Sequence, residues 1–351
     1  AYRAGAMFGL TLSGLILFFF DWRFLFYINI PVGIFGTLWA RRRLHEQSEP
    51  ERRTPMDWPG FVTFTAFITS LLLALTFAAY GIGETLEVFG FAALSTVTFI
   101  LFVRVERSHP HPLLDFRLLH IREFTGGVVT QLINAIAWGA FILLVSLYLQ
   151  LVRGLSPLEA GIAILPFDVA LLFVGPLSGR LSDKFGTRPF TTAGLAVVSL
   201  SLILFSTVSA TTSYIVLVAY LSLGGAGMGL FVSPNMSSIM GSVPSHRRGV
   251  ASALRATFFN VGFTLSFNVV ILVLTFYLPY EFITQVISTT AGTVTLSDTA
   301  RFTSALDDLY VILAVINSTA IIPSLLRGPR LSALPTDSDS NTGESSNRQL
   351  S

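Results

Sequence analysis

The sequence predicts an all-α, polytopic membrane protein of about ten transmembrane helices. Three observations carry that prediction. Hydrophobic residues fill 52% of the 351 positions and charged residues only 12%, half the share of about 25% usual in soluble domains. Mean hydropathy is +0.69. No Asp, Glu, Lys or Arg falls between Arg188 and Arg247. So little charge cannot cover a soluble globule of this size, and disordered, fibrous and ordinary cytosolic-enzyme readings are excluded.

A helix crossing a hydrocarbon core of about 30 Å needs about 20 mainly apolar residues. Ten segments are of that kind, near 2–19, 24–40, 59–80, 88–103, 124–150, 159–180, 190–207, 214–240, 250–278 and 304–326. The first follows Ala1-Tyr2-Arg3 directly, a start without Met that reads as a truncation. The second lies between Arg23 and the triplet Arg41-Arg42-Arg43. The third opens at Asp57-Trp58-Pro59-Gly60, where Pro59 suits a first helical turn and Trp58 a membrane interface. The fourth is short, and flanking arginines can snorkel to the interface. Glu123 and Arg153 bracket the fifth. The sixth carries Pro166 and Pro176. The uncharged run after Arg188 holds the seventh and eighth around a polar turn, Ser209-Ala-Thr-Thr-Ser213. The ninth follows Arg247-Arg248, and the tenth stops before Arg327.

Basic residues set the orientation. Connections on one side hold Arg23, Arg153 and Arg301, and those on the other hold sixteen basic residues. The Arg-rich side is cytoplasmic by the positive-inside rule, which puts both ends of this chain in the cytoplasm of a multi-pass cell-membrane protein. The final stretch, 331–351, is rich in Ser, Asp, Asn and Thr and is expected to be a disordered cytoplasmic tail.

Several chemistries drop out. There are no cysteines, so disulfides, thiolate catalysis and Cys-held metals are excluded. The five histidines sit in polar loops, and His109 and His111, beside prolines and without further ligands, read as loop residues rather than a metal site. No cofactor is expected. Of the 22 basic residues only Lys184 is Lys, and they are dispersed, unlike a nucleic-acid groove. Gly224-Gly-Ala-Gly-Met-Gly229 lies inside a span, which suits close helix packing and not a phosphate cradle. No second deep acid or intramembrane His completes the constellation that an intramembrane enzyme needs.

One connection stands out, Gly179-Arg-Leu181-Ser-Asp183-Lys184-Phe-Gly186-Thr-Arg188. Its spacing is expected to form a tight turn between two spans, with glycine where backbones approach or φ turns positive. It resembles the signature loop of the major facilitator superfamily. Asp21 to Gly33, Asp57 to Gly60, His111 to Arg117 and Pro234 to Ser252 resemble the 14-span drug:proton antiporter branch of that superfamily. The stretch Gly5-Ala-Met-Phe-Gly9-Leu-Thr-Leu-Ser-Gly14 departs from the Gly-Pro-rich antiporter motif of the branch. The resemblance implies the last two helices of an N-terminal half at 1–40, a connector at 41–58 and an extra central helix pair at 59–103. A linker at 104–123 and a C-terminal six-helix bundle at 124–330 would follow, with four earlier helices missing.

Polar residues within spans are the candidate site. Gln131, Asn134 and Trp138 share one face of the fifth span, and Thr257, Asn260, Thr264 and Asn268 form a stripe on the ninth. The resemblance places both on cavity-lining helices, and plain interhelical hydrogen bonding is the alternative. Asp168 is the one acid well inside a span: either a candidate proton site, or a satisfied polar group near the outer end. Asp307 and Asp308 suit an interface. The leading function is alternating-access secondary transport, as proton-coupled efflux of amphipathic compounds by a protein monomeric at full length. Facilitator uptake of a polar solute is one alternative. A non-transporting scaffold or an intramembrane enzyme is the alternative from another class.

Overall fold

A computed structural model describes residues 15–16, 19–21, 23–43, 57–80, 85–110, 114, 116–244, 247–277 and 296–327. All the regular elements among them are helical. They are α1 Phe24–Tyr27, α2 Asn29–Arg43, α3 Trp58–Tyr80, α4 Thr85–Ser108, α5 Arg122–Leu147, α6 Pro157–Phe185, α7 Thr187–Phe205, α8 Tyr214–Gly241, α9 Arg248–Leu274, α10 Leu296–Thr319 and α11 Ile321–Leu325. Nine stretches among the described residues are long and apolar enough to cross a membrane. The chain is thus an all-α polytopic membrane protein. The expected span at 2–19 lies almost entirely outside the described residues, as do most of the connector at 41–58 and the whole tail at 331–351.

Local chemistry sets the helix ends. Asp57 starts α3 by accepting the Gly60 N–H at 2.8 Å through Oδ1. Gly60 has no side chain because a Cβ there would meet Asp57 Oδ2 at 2.3 Å and Glu106 Oε1 at 2.9 Å. The Asp-Trp-Pro-Gly motif is therefore a cap packed on a second buried carboxylate. At α6, Ser156 and Glu159 form a reciprocal capping box with Pro157 in the first turn, which starts the helix just before the apolar pattern does. Leu118–His120 is a 3₁₀ turn before α5, and Tyr148–Val152 is a π-helical turn after it. The Tyr148 hydroxyl then donates to the Ser209 carbonyl at 2.8 Å, tying this end of α5 to the α7–α8 turn. The last span is broken at Ala320, because Pro323 offers no N–H to the Thr319 carbonyl.

The expected loop from Gly179 to Arg188 is mostly helix. α6 continues through Phe185, α7 begins at Thr187, and only Gly186, at φ 88°, stands between them. A single residue in that region of backbone space reverses the chain, and glycine adopts it without steric cost.

α8 is the hub, packed on both α6 and α7, while α5 pairs with α9 and α3 with α4. The α3–α4 pair joins the rest through α9. The glycine run of α8 permits this. A Cβ on Gly225 would lie 2.1 Å from the Phe167 carbonyl oxygen of α6, and one on Gly227 would lie 2.8 Å from the Val198 nitrogen of α7. Ser178 Oγ donates to the Gly229 carbonyl across the same contact at 2.7 Å. Phe141, Phe167, Phe205 and Tyr310 form the aromatic centre of the main apolar core.

Candidate functional site

The four helices α5, α6, α8 and α9 border an open cavity of about 610 Å³. Gln131 and Asn134 border it from α5, Leu171, Leu172, Gly175 and Pro176 from α6, and Arg255 and Phe259 from α9. α8 contributes the wall from Met228 to Ser237. Pro176 cannot bond the Leu172 carbonyl, and Pro234 cannot bond the Leu230 carbonyl, so two backbone acceptors lose their helical partners beside the cavity.

Asn134 belongs to a buried polar chain as well as to the wall. Its Nδ2 donates to Asn317 Oδ1 at 3.0 Å and approaches Met228 Sδ at 3.6 Å. Asn317 Nδ2 donates in turn to the Leu195 carbonyl and to Ser199 Oγ, both at 3.0 Å. Asn235, 2% exposed, donates to the Gly127 carbonyl at 3.3 Å, and its Oδ1 has no hydrogen-bond partner among the described residues. Asn317 did not stand out in the sequence, and Asn235 did so only within the stretch from Pro234 to Ser252 that carries the resemblance, not as a site residue. A lone Asn in an otherwise apolar span was the available signal.

Trp138 lies one turn beyond Asn134 and away from the cavity. Its ring is 4.7 Å from that of Phe167 and 6.4 Å from that of Phe141. These rings border a small pocket of about 30 Å³ that also receives Asp168. Asp168 is half-buried, eleven residues into α6, which is about 17 Å from the helix start at 1.5 Å per residue. It precedes Leu171, Leu172 and Gly175 by three, four and seven residues, so it shares their helix face. Asp168 thus stands on α6 between the cavity-lining Leu171 and the ring of Phe167.

The stripe on α9 is elsewhere. Thr257, Asn260, Thr264 and Asn268 do not border the cavity, and Asn260 and Thr264 are exposed. The Thr257 and Thr264 hydroxyls bond carbonyls of their own helix. Asn268 accepts a long hydrogen bond from Thr76 of α3 at 3.4 Å. Arg255 and Phe259 bring α9 to the cavity instead. An Arg within an apolar 27-residue helix was the sequence signal for that face.

In the signature segment, Gly179 lets α6 approach α8, since a Cβ there would meet Ser233 Oγ at 2.7 Å. Leu181, Asp183, Lys184 and Arg188 are exposed. Near the same end of the bundle, Ser238 Oγ donates to Glu123 Oε1 at 2.8 Å. Arg327, 3% exposed, donates to the Gly126 carbonyl at 3.4 Å. Burial lowers the Arg327 pKa to about 10, and the Glu123 charge opposes that shift. Among the described residues there is no cluster of three or more groups suited to a metal. Tyr277 donates to the Asp308 carboxylate, which raises the tyrosine pKa.

Residues 1–267 match the Major Facilitator Superfamily. The chain is 31% identical over 261 residues to the riboflavin transporter RibZ of Clostridioides difficile, covering 74% of this chain and 56% of RibZ. It is 31% identical over 273 residues to the multidrug resistance protein Stp of Mycobacterium tuberculosis, covering 76% and 49%. The methyl viologen resistance protein SmvA of Salmonella typhimurium is 29% identical over 259 residues, covering 74% and 52%. The chain spans about half the length of the curated relatives it matches.

Proposed function

Because the chain belongs to the Major Facilitator Superfamily, we propose that it forms the substrate-handling bundle of a proton-coupled, alternating-access exporter of amphipathic compounds. The observation that carries this is the 610 Å³ cavity among α5, α6, α8 and α9, a size suited to a drug-sized ligand. Gln131 and Asn134 offer amides to that ligand. The Trp138–Phe167 layer closes the cavity on the side of Asp168 in one state and parts in the other. Asp168 takes up a proton when its pocket is wetted and releases it when the bundle reopens. An ionisable group at that depth is costly to keep without such a role. The polar stripe of α9, outside this cavity, lines a second surface of the substrate path in this reading, and the signature segment braces the turn between α6 and α7. The domain limits implied by the resemblance, a monomeric protein and an Arg-rich cytoplasmic face complete it.

The test uses the protein expressed from its complete reading frame and placed in proteoliposomes. Riboflavin and methyl viologen, the compounds named for two relatives, serve as labelled substrates. At least one should move when a pH gradient is imposed. Asp168→Asn should remove the gradient-driven flux and keep binding. Flux that ignores both the gradient and the substitution would overturn the coupling role of Asp168.

A further inference from the structure

Resting on that transporter reading for its purpose, we infer that Glu123, Ser238 and Arg327 form a two-position clasp at the Arg-rich end of the bundle. In the position seen, Glu123 holds α8. In the other it exchanges Ser238 for the guanidinium of Arg327, and the end of α8 is free to leave α5. Glu123 lies buried in the first turn of α5, where its Oε1 accepts the Ser238 hydroxyl of α8 at 2.8 Å. Asn235, three residues earlier on α8, makes a second and longer tie, 3.3 Å to the Gly127 carbonyl. Arg327 reaches the same part of α5 from beyond α11. Its stem lies on the bare Cα of Gly126, where a Cβ would meet Arg327 Cγ at 2.7 Å. The guanidinium spends Nη2 on the Gly126 carbonyl at 3.4 Å, while Nε and Nη1 are buried without a hydrogen-bond partner among the described residues. The Glu123 charge acts on Arg327, yet the two are not joined as an ion pair.

A buried charge with unspent donors is costly, and the carboxylate that relieves it stands one turn away. Gly126 follows Glu123 by three residues, about 4.5 Å along the helix axis and on the same face. A change of rotamer in the long arginine side chain spans that step. The move gives Glu123 a charge-assisted partner in place of a hydroxyl. Opposing it are the Ser238 bond and the packing of α8 on Gly127, where a Cβ would meet Ile239 Cγ1 at 2.5 Å. Each position thus satisfies groups that the other leaves short, and one carboxylate with two exclusive partners makes a bistable element. α8 carries Asn235, Met236 and Ser237 in the wall of the cavity. Release of its end therefore opens that wall.

Arg122, exposed, begins α5, and Gly241 ends α8 with nothing within 4 Å of a Cβ built on it. Arg122→Cys and Gly241→Cys therefore carry a pair of nitroxide spin labels across the clasp. The protein is expressed from its complete reading frame, with any other cysteine replaced by serine, and placed in lipid nanodiscs. Electron paramagnetic resonance reads the separation of the labels. Without further substitution it should show two separations, a readout that needs no clasp variant to fold. Ser238→Ala should shift the populations toward the longer separation by at least about fivefold, and Arg327→Gln toward the shorter one by a similar factor. Glu123→Gln keeps an acceptor for Ser238 and loses the charge, so it should follow Arg327→Gln. Contacts that only hold the fold would loosen this end in every variant, so opposite shifts are the signature of exchange. Shifts in one direction for all three variants, or a single separation throughout, overturn the clasp. A single separation together with pH-driven flux would remove this inference and leave the transporter reading standing. Opposite shifts without any driven flux would do the reverse.

Discussion

Asn317 joins three helices through one carboxamide, with donors to Leu195 and Ser199 on α7 and an acceptor facing Asn134 on α5. Asn134→Leu would leave the Asn317 Oδ1 buried without that donor. An orphaned buried acceptor costs about 1–3 kcal/mol. Thermal unfolding in detergent should therefore come several degrees earlier for Asn134→Leu, whereas Gln131→Leu, half-buried and without a cross-helix bond among the hydrogen bonds described, should unfold near wild type. Equal melting of all three proteins would show that the polar chain contributes no stability. At this scale the sequence was legible in part. The i, i+3 spacing exposed Gln131 and Asn134 because both lie on one helix. Asn317 and Asn235 come from different helices, and single-chain spacing cannot show which side chains meet across an interface. Arg255 was legible as a charge, but its contact with the cavity depends on the rotation of α9, and the Thr–Asn stripe pointed to another face.

At the scale of elements, packing is decided by what α8 lacks. Gly225 sits against the Phe167 backbone and Gly227 against the Val198 backbone, so neither neighbour can give way by a rotamer change. Gly225→Ala would force α6 and α8 apart, at a cost of about 1–3 kcal/mol by analogy with overpacked cores. Gly241→Ala is the control, since nothing lies within 4 Å of a Cβ built there. Thermal unfolding should separate the two variants clearly, and identical stabilities would deny that the glycine run sets the α6–α8 distance. The packing role of this run was legible because glycines inside a span have few other uses. Helix lengths were less so. Apolar runs mark the part of a helix inside lipid, while α4, α5 and α6 extend past it on polar residues. The capping box at Ser156 was visible in principle, since Ser-x-x-Glu precedes an apolar run, and it would have moved the start of α6 to Pro157.

At the scale of the whole molecule, the apolar pattern made the fold class plain, because a membrane demands that each crossing segment satisfy its own backbone. Which side faces the cytoplasm rests on arginine placement, sixteen basic residues against three. α7 makes this testable with two residues. It has 19 residues, about 28 Å at 1.5 Å each, enough to separate its ends by one hydrocarbon core. Lys184 is exposed just before α7, and Ser209 is exposed just after it. The 351-residue sequence contains no cysteine, so Lys184→Cys and Ser209→Cys each report alone. A membrane-impermeant maleimide added to intact cells should label Ser209→Cys and should reach Lys184→Cys only after the membrane is opened. Labelling of Lys184→Cys in intact cells would invert the molecule. It would also place the Arg255 end of α9 outside, because α7 and α8 each cross once between Lys184 and the start of α9.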